Sequence, residues 1–289
     1  MISNRRSFLS WVGGATGAAL ASACSRPCPP SVSPVQPSAS VVGTANAPLS
    51  DASNRAAPAP VAASTEPARV RVLFFDAFPI FDPRPVFALG EQLFPGRGSD
   101  LGNAWRTRQF EYTWLRTASR HYKDFWNVTG DALSFACDSL KLELTQDKRE
   151  QLMNAYLALP VYPDVVPALD QFKRAGLKLA FLSNMTEEML TSCIQKAGLD
   201  GYFDAVLSTH EAQTYKPDPR AYQLGLDRLR VAREEAVFVA FAGWDAYGAK
   251  LFGYKTFWTN RLKLSTERLD VKPDGEGSDL AALATFLQA

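Results

Sequence analysis

Four short stretches carry side chains that suit chemistry at a single point: Asp76, Ser183-Asn184, Lys216-Pro217-Asp218-Pro219 and Trp244-Asp245. Each stands at or just beyond the end of an apolar run. Two carboxylates, a lysine and a hydroxyl brought together supply a nucleophile, a cation that keeps it ionised and groups that orient both. An Asp at a strand end can also simply cap the following turn. Asp76 follows a fully apolar run and is matched by Lys216, which favours the chemical role. Ser183-Asn184 reads equally as a helix N-cap, a role compatible with ligand binding at the same helix start.

Other chemistries are poorly supplied. His121 and His210 are the only histidines, so a histidine-based triad or zinc site lacks material, and both read as surface or capping residues. Cys24 and Cys28 lie near the N-terminus, while Cys137 and Cys193 stand singly in helix-like stretches, with no CxxC spacing and no disulfide framework.

The elements that must position these groups are legible from residue 70 onward, where short apolar runs alternate with helical patterns. Candidate strands are Arg71 to Asp76, Leu177 to Ser183, Phe203 to Ser208, Ala236 to Ala242 and Tyr254 to Asn260. Each is nearly continuous in apolar residues, as a strand buried on both faces should be. Gly176 and Gly198 punctuate helices expected over Pro163 to Ala175 and Thr186 to Ala197. The fold class is therefore α/β: a Rossmann-like parallel sheet, strand order 3-2-1-4-5, over 70–84 and 163–289. Residues 85–162 are too long for a crossover helix and carry Trp105, Tyr112, Trp114, Tyr122, Phe125 and Trp126 at helical spacing, which predicts an inserted helical cap domain. In such a sheet ligands bind beyond the carboxyl ends of the strands, where the four stretches above converge.

Composition excludes other classes. With 289 residues, 46% of them hydrophobic and 21% charged, the chain can build a large core and is not disordered. A net charge of +1 argues against a nucleic-acid partner. Residues 1–69 hold nine of the nineteen prolines, and no aromatic residue occurs between Val12 and Leu73. Asn4-Arg5-Arg6-Ser7-Phe8-Leu9 resembles a twin-arginine export signal, and the apolar stretch from Trp11 to Ala23 is too short to span a bilayer. Residues 1–23 are thus expected to be a cleaved signal and 24–69 a Pro/Ala/Ser-rich flexible tether. That predicts an exported, periplasmic protein without a transmembrane helix in its mature form, with Cys24 a candidate for lipid attachment.

Phe75-Asp76-Ala77-Phe78, Trp105-Arg106, Glu111-Tyr112-Thr113-Trp114-Leu115-Arg116, Leu182-Ser183-Asn184, Tyr215 to Tyr222 and Gly243-Trp244-Asp245-Ala246 occur in fixed order over nearly the whole folded part. Together they resemble the type II haloacid dehalogenases, the L-2-haloacid dehalogenases of the haloacid dehalogenase superfamily. Phosphatases of that superfamily need a second acid two positions after the nucleophile, to protonate an alkoxide, and further carboxylates for Mg²⁺. Here those places hold Phe78 and Ala249. A halide leaves without a proton, so the set suits carbon–halogen displacement with no metal and no cofactor, and a phosphatase is the lesser reading.

By that resemblance Asp76 attacks C2 of a small L-2-haloalkanoate, and water then hydrolyses the aspartyl ester to a D-2-hydroxy acid. Arg106 faces the departing halide, although beside Arg108 and Arg116 spacing alone would make it a solvated helix charge. Ser183 with nearby backbone N–H groups holds the substrate carboxylate, and Asn184 lies close to the halide. Lys216 keeps Asp76 ionised, and Asp245 orients Lys216 or the water. Phe110, Phe125 and Trp244 form an apolar wall, and Tyr222 supplies a hydroxyl near the lysine; by spacing alone Phe110 and Phe125 read as core. A homodimer, as in several relatives, suits the aromatic-rich cap. Two departures stand out: the loop after Asp76 is one residue short and lacks the usual Thr, and Ala240-Phe241-Ala242 replaces the usual Ser and Asn before Trp244. The second keeps an alternative open, a degenerate relative that binds small carboxylates or acts on another substrate.

Overall fold

The computed structural model describes residues 69–288. The expected signal and the tether up to residue 68 lie outside the described residues. Strands β1 (Val72–Phe75), β2 (Lys178–Ser183), β3 (Ala205–Ser208), β4 (Ala236–Ala240), β5 (Lys255–Thr259) and β6 (Gly275–Gly277) form one parallel sheet in the order β3-β2-β1-β4-β5-β6. Each of the four residues of β1 is fully buried because helices cover both faces. The pleat divides them: Leu73 and Phe75 join one apolar cluster with Phe181 and Val239, while Val72 and Phe74 join another with Leu182 and Phe238.

The expected five-strand order holds, with β6 added beyond β5. Three residues reading Gly-Glu-Gly have no apolar run to announce them, and only pairing with β5 makes them a strand. β4 ends at Ala240 rather than Ala242, because Ala242 is already the N-cap of the next helix. Asp76 lies one residue past β1, its N–H still donating to the Val239 carbonyl of β4 at 3.0 Å.

Helices α1 (Arg84–Leu93), α2 (Gly98–Ser119), α3 (Phe125–Leu140) and α4 (Gln146–Ala155) follow β1 before α5 (Val165–Arg174) leads into β2. The chain enters and leaves this block through an antiparallel bridge between Phe81 and Val161. Caps set the helix starts: the Asp124 carboxylate accepts the Asn127 N–H at 2.9 Å to open α3, and the Thr145 hydroxyl that of Lys148 at 3.3 Å to open α4. Inside the block the Trp105 indole donates to the Thr129 carbonyl at 2.8 Å and meets Tyr156 edge-on at 5.4 Å between ring centroids.

After β2 come α6 (Glu187–Lys196), α7 (Pro219–Leu229), α8 (Gly243–Phe252) and α9 (Leu280–Gln288). Gly176 and Gly198 stand at φ of +78° and +68°, the left-handed geometry that ends α5 and α6 with little steric cost. Cys137 and Cys193 are buried free thiols, and His121 and His210 are exposed.

Candidate active site

The carboxyl ends of β1, β2 and β4 face the α1–α4 block across a partly enclosed pocket. On the sheet side Lys216, 1% exposed, donates through Nζ to Asp76 Oδ1 at 2.9 Å and to Asp245 Oδ2 at 2.7 Å. Asp245 Oδ1 accepts from the Tyr222 hydroxyl at 2.8 Å, so both of its oxygens are occupied. Asp76 Oδ1 also accepts from the Ser183 hydroxyl at 3.2 Å, whereas Oδ2 has one long contact, from the Phe78 N–H at 3.4 Å. Oδ2 is therefore the Asp76 oxygen with lone pairs to spare.

Burial and charge act in opposition on this group. Burial alone would lower the Lys216 pKa, but the Asp245 and Asp76 carboxylates outweigh it and hold the ammonium protonated above its usual range. Burial pushes Asp245 up to about 6, against the Lys216 charge and the Tyr222 hydrogen bond that pull it down. Burial, followed by the Asp245 charge, keeps the Tyr222 phenol well above its ordinary value.

The opposite side belongs to α2 and α4. Arg106 lines the pocket, its guanidinium 5.5 Å from the centre of the Phe110 ring. Burial lowers its pKa while the Tyr156 phenol raises it, and it forms no ion pair among the described residues. Tyr156, pushed up to about 12 mainly by burial, lines the pocket together with Gln109, which donates to the Thr129 hydroxyl at 2.7 Å. Arg106, Gln109 and Phe110 share one face of α2 by helical spacing.

The structure gathers Asp76, Arg106, Phe110, Asn184, Trp244 and Asp245 around the pocket, with Lys216 directly behind Asp76. Asn184 Oδ1 accepts from the Lys216 N–H at 3.0 Å and the Thr209 hydroxyl at 3.2 Å, which fixes the amide. Two expectations, for Phe125 and Ser183, need correction. Phe125 does not line the pocket; it starts α3, is 1% exposed and packs in the core 6.3 Å from the Tyr215 ring. Tyr222 lies behind the wall with its hydroxyl near the lysine, bonded to the Asp245 carboxylate that Lys216 also holds. Ser183 turns to Asp76 rather than into the pocket, so a hydroxyl from β2 acts on the nucleophile whose own loop lacks one.

Sequence reasoning missed several wall residues. Phe78 and Phe241 face each other at 5.8 Å, and Pro83 and Phe87 arrive with α1. Gln109 was within reach, one turn of α2 from Arg106. Tyr156 comes from the end of α4, about fifty residues from Arg106, and no local pattern marks it. Ala242 lines the pocket with nothing but a methyl group.

Residues 70–253 match the model of the haloacid dehalogenase-like hydrolases. The chain belongs to that family. A curated relative, the (S)-2-haloacid dehalogenase of Pseudomonas sp. (strain YL), is 38% identical over 220 residues, which is 76% of this chain and 95% of the relative. Among solved structures, an L-2-haloacid dehalogenase is 42% identical at a TM-score of 0.75 and covers 77% of this chain and 100% of its own. A second, the L-2-haloacid dehalogenase of Xanthobacter autotrophicus with chloropropionic acid covalently bound, is 32% identical at 0.71 and covers 76% of this chain and 99% of its own.

Some proteins of this hydrolase fold carry Mg²⁺, as the magnesium-bound Bacillus subtilis protein of the same fold does. The residues of this site do not fit a divalent cation. Asp76 Oδ1 and Asp245 Oδ2 are taken by the Lys216 ammonium, the place two residues after Asp76 holds a phenyl ring, and among the described residues no group of three or more His, Cys, Asp or Glu side chains gathers.

Proposed function

We propose that this hydrolase removes halide from small L-2-haloalkanoic acids through an ester on Asp76. The observation that carries the reading is the pairing of a carboxylate having one unspent oxygen with an unpaired guanidinium across a single aromatic-walled pocket. Asp76 Oδ2 attacks C2 from the face opposite the halogen; the C2–O bond forms as the carbon–halogen bond breaks, and halide leaves with the electron pair. Arg106, with the Asn184 amide beside it, meets the charge that develops on the halogen. Phe78, Phe110, Phe241 and Trp244 keep water from competing for the carboxylate. The substrate carboxylate falls to backbone N–H groups at the carboxyl ends of β1 and β2, while Ser183 holds Asp76 Oδ1.

In the second half, water adds to the Asp76 carboxyl carbon and the bond from that carbon to Oδ2 breaks. The D-2-hydroxy acid departs carrying Oδ2 as its hydroxyl oxygen, and the proton is released with the halide. Lys216 holds Oδ1 throughout, and Asp245 orients Lys216 or the water. Ala242 favours a second reading, an acylation-competent protein that hydrolyses its ester slowly, because no side-chain amide stands there to hold water.

Halide release from L- and D-2-chloropropanoate, followed at enzyme concentrations that count single turnovers, separates the two. Continuous release from the L isomer alone is expected; a burst of about one halide per site and then a stall supports the second reading, and silence on both isomers refutes dehalogenation of these acids.

Two features outside the site complete the proposal. The Arg5-Arg6 pair supports twin-arginine export to the periplasm, so replacing both with Lys should hold the chain in the cytoplasm on fractionation. Leu115 and Phe135 are 58% and 38% exposed on α2 and α3, which supports a homodimer through that face; a monomeric mass on sedimentation at micromolar concentration contradicts it. Among the described residues no helix is long and apolar enough to cross a membrane.

A further inference from the structure

One wall of the pocket is a ring that the hydrophobic core does not claim. Phe87 on α1 is half-buried, lines the pocket and belongs to neither apolar core cluster. It rests on Gly102, a buried glycine inside α2, where a Cβ would meet Phe87 Cδ1 at 2.8 Å and Cγ at 3.4 Å. A glycine within a helix is destabilising relative to alanine, so its presence calls for a packing reason. Seating the Phe87 ring against the α2 backbone is that reason. Gly102 stands one turn before Arg106 on the same face of α2, which places the ring beside the guanidinium's own turn.

The reactive part of the substrate falls to polar groups of the pocket. Asp76 takes C2, and Arg106 and Asn184 take the halide. A phenyl ring offers no hydrogen-bond donor to either anion. What it offers is a boundary for the remaining part of the molecule, the alkyl group on C2. Pro83 and Phe78, on the segment that leads into α1, continue the same apolar surface.

We propose that Phe87, seated on Gly102, is the residue that sets how long an alkyl chain on C2 this enzyme accepts, restricting it to short 2-haloalkanoates. The inference rests on the dehalogenase reading above. It makes opposite demands on two positions: removing the ring opens the pocket, whereas a methyl group on residue 102 drives the ring into it.

The test uses the full-length protein and kcat/KM for L-2-bromopropanoate and L-2-bromohexanoate, with L-2-chloropropanoate as a check on halogen preference. The unsubstituted enzyme should favour the three-carbon acid. Phe87→Ala should raise the six-carbon to three-carbon ratio by about tenfold to a hundredfold, through KM more than kcat, the scale on which apolar pockets discriminate methylenes. Gly102→Ala should lower the same ratio. Phe87→Leu, which keeps most of the packing, should move it in the same direction as Phe87→Ala by less, and it decides the matter if the alanine variant does not fold. A ratio unchanged within twofold in active Phe87 variants overturns the proposal. So does a changed bromide-to-chloride preference at constant chain-length ratio, which would put the ring against the halogen. If the unsubstituted enzyme releases halide from none of the three acids, the dehalogenase reading itself fails and this inference with it.

Discussion

On the sheet side of the pocket Lys216 Nζ is shared by two carboxylates and both oxygens of Asp245 are bonded, whereas on the cap side Arg106 forms no ion pair among the described residues. The first half is finished before any substrate arrives. The second half is a desolvated cation with aromatic neighbours and nothing to neutralise it. Such a division fits a reaction in which the nucleophile must be held still and the only new charge appears on the leaving group. It also separates two kinds of loss, since damage on the sheet side should reach chemistry and stability alike, while damage on the cap side should reach chemistry and anion binding alone.

The largest effect should come from Asp76→Asn. Halide release is expected to fall by about 10⁴-fold or more, because the attacking atom is gone, while binding of a non-reactive 2-hydroxy acid by calorimetry stays nearly intact. Retained turnover in that variant would end the comparison. Lys216→Met should strike both properties at once. It leaves two buried carboxylates without their shared cation, and urea unfolding should show a loss of about 3–5 kcal/mol together with activity. An unchanged midpoint would mean the sheet-side group is not structural.

Arg106→Ala sharpens the contrast from the other side. A loss of about 10²–10³ in kcat/KM is expected with unfolding unchanged, along with loss of whatever thermal protection chloride gives the unsubstituted protein. The smallest effect concerns pH. Asp245 is raised to about 6, so activity should fall as pH drops through that region and the carboxylate releases Lys216. Its share of stability has the opposite slope: the folded state keeps a proton that the unfolded chain has lost, so that share is full below the ordinary value of 3.8 and disappears as pH rises through about 6. Tyr222→Phe removes a hydrogen bond to the ionised form, so the acid limb should move to higher pH with a rate loss under about tenfold; a shift to lower pH would contradict the assignment.

How much of this was legible in the sequence follows from the range over which each feature is determined. β1, β2 and β4 are continuous apolar runs, and burial on both faces is written into those runs residue by residue. β6 is not, because Gly275–Gly277 becomes a strand only by pairing with β5. Asp76, Lys216 and Asp245 follow strands or a fixed motif, so their convergence could be inferred from sheet topology. Phe125 could not be placed in that way: spacing made it core, the resemblance made it pocket wall, and packing against Tyr215 decided for core. The resemblance made Ser183 a substrate ligand; only coordinates show that its hydroxyl donates to Asp76. Tyr156 and Phe87 depend on how the cap helices cross, which no window of sequence records.

The central claim is that Asp76 becomes an ester and that water attacks its carboxyl carbon. A single turnover of L-2-chloropropanoate in H₂¹⁸O, with enzyme in excess, tests it directly through mass analysis of the Asp76 peptide and of the lactate. The expected result is ¹⁸O in the Asp76 carboxylate and none in the product, whose hydroxyl comes from Oδ2. Heavy oxygen in the lactate with an unlabelled Asp76 would mean that water displaces the halide itself, and would contradict nucleophilic catalysis by this residue.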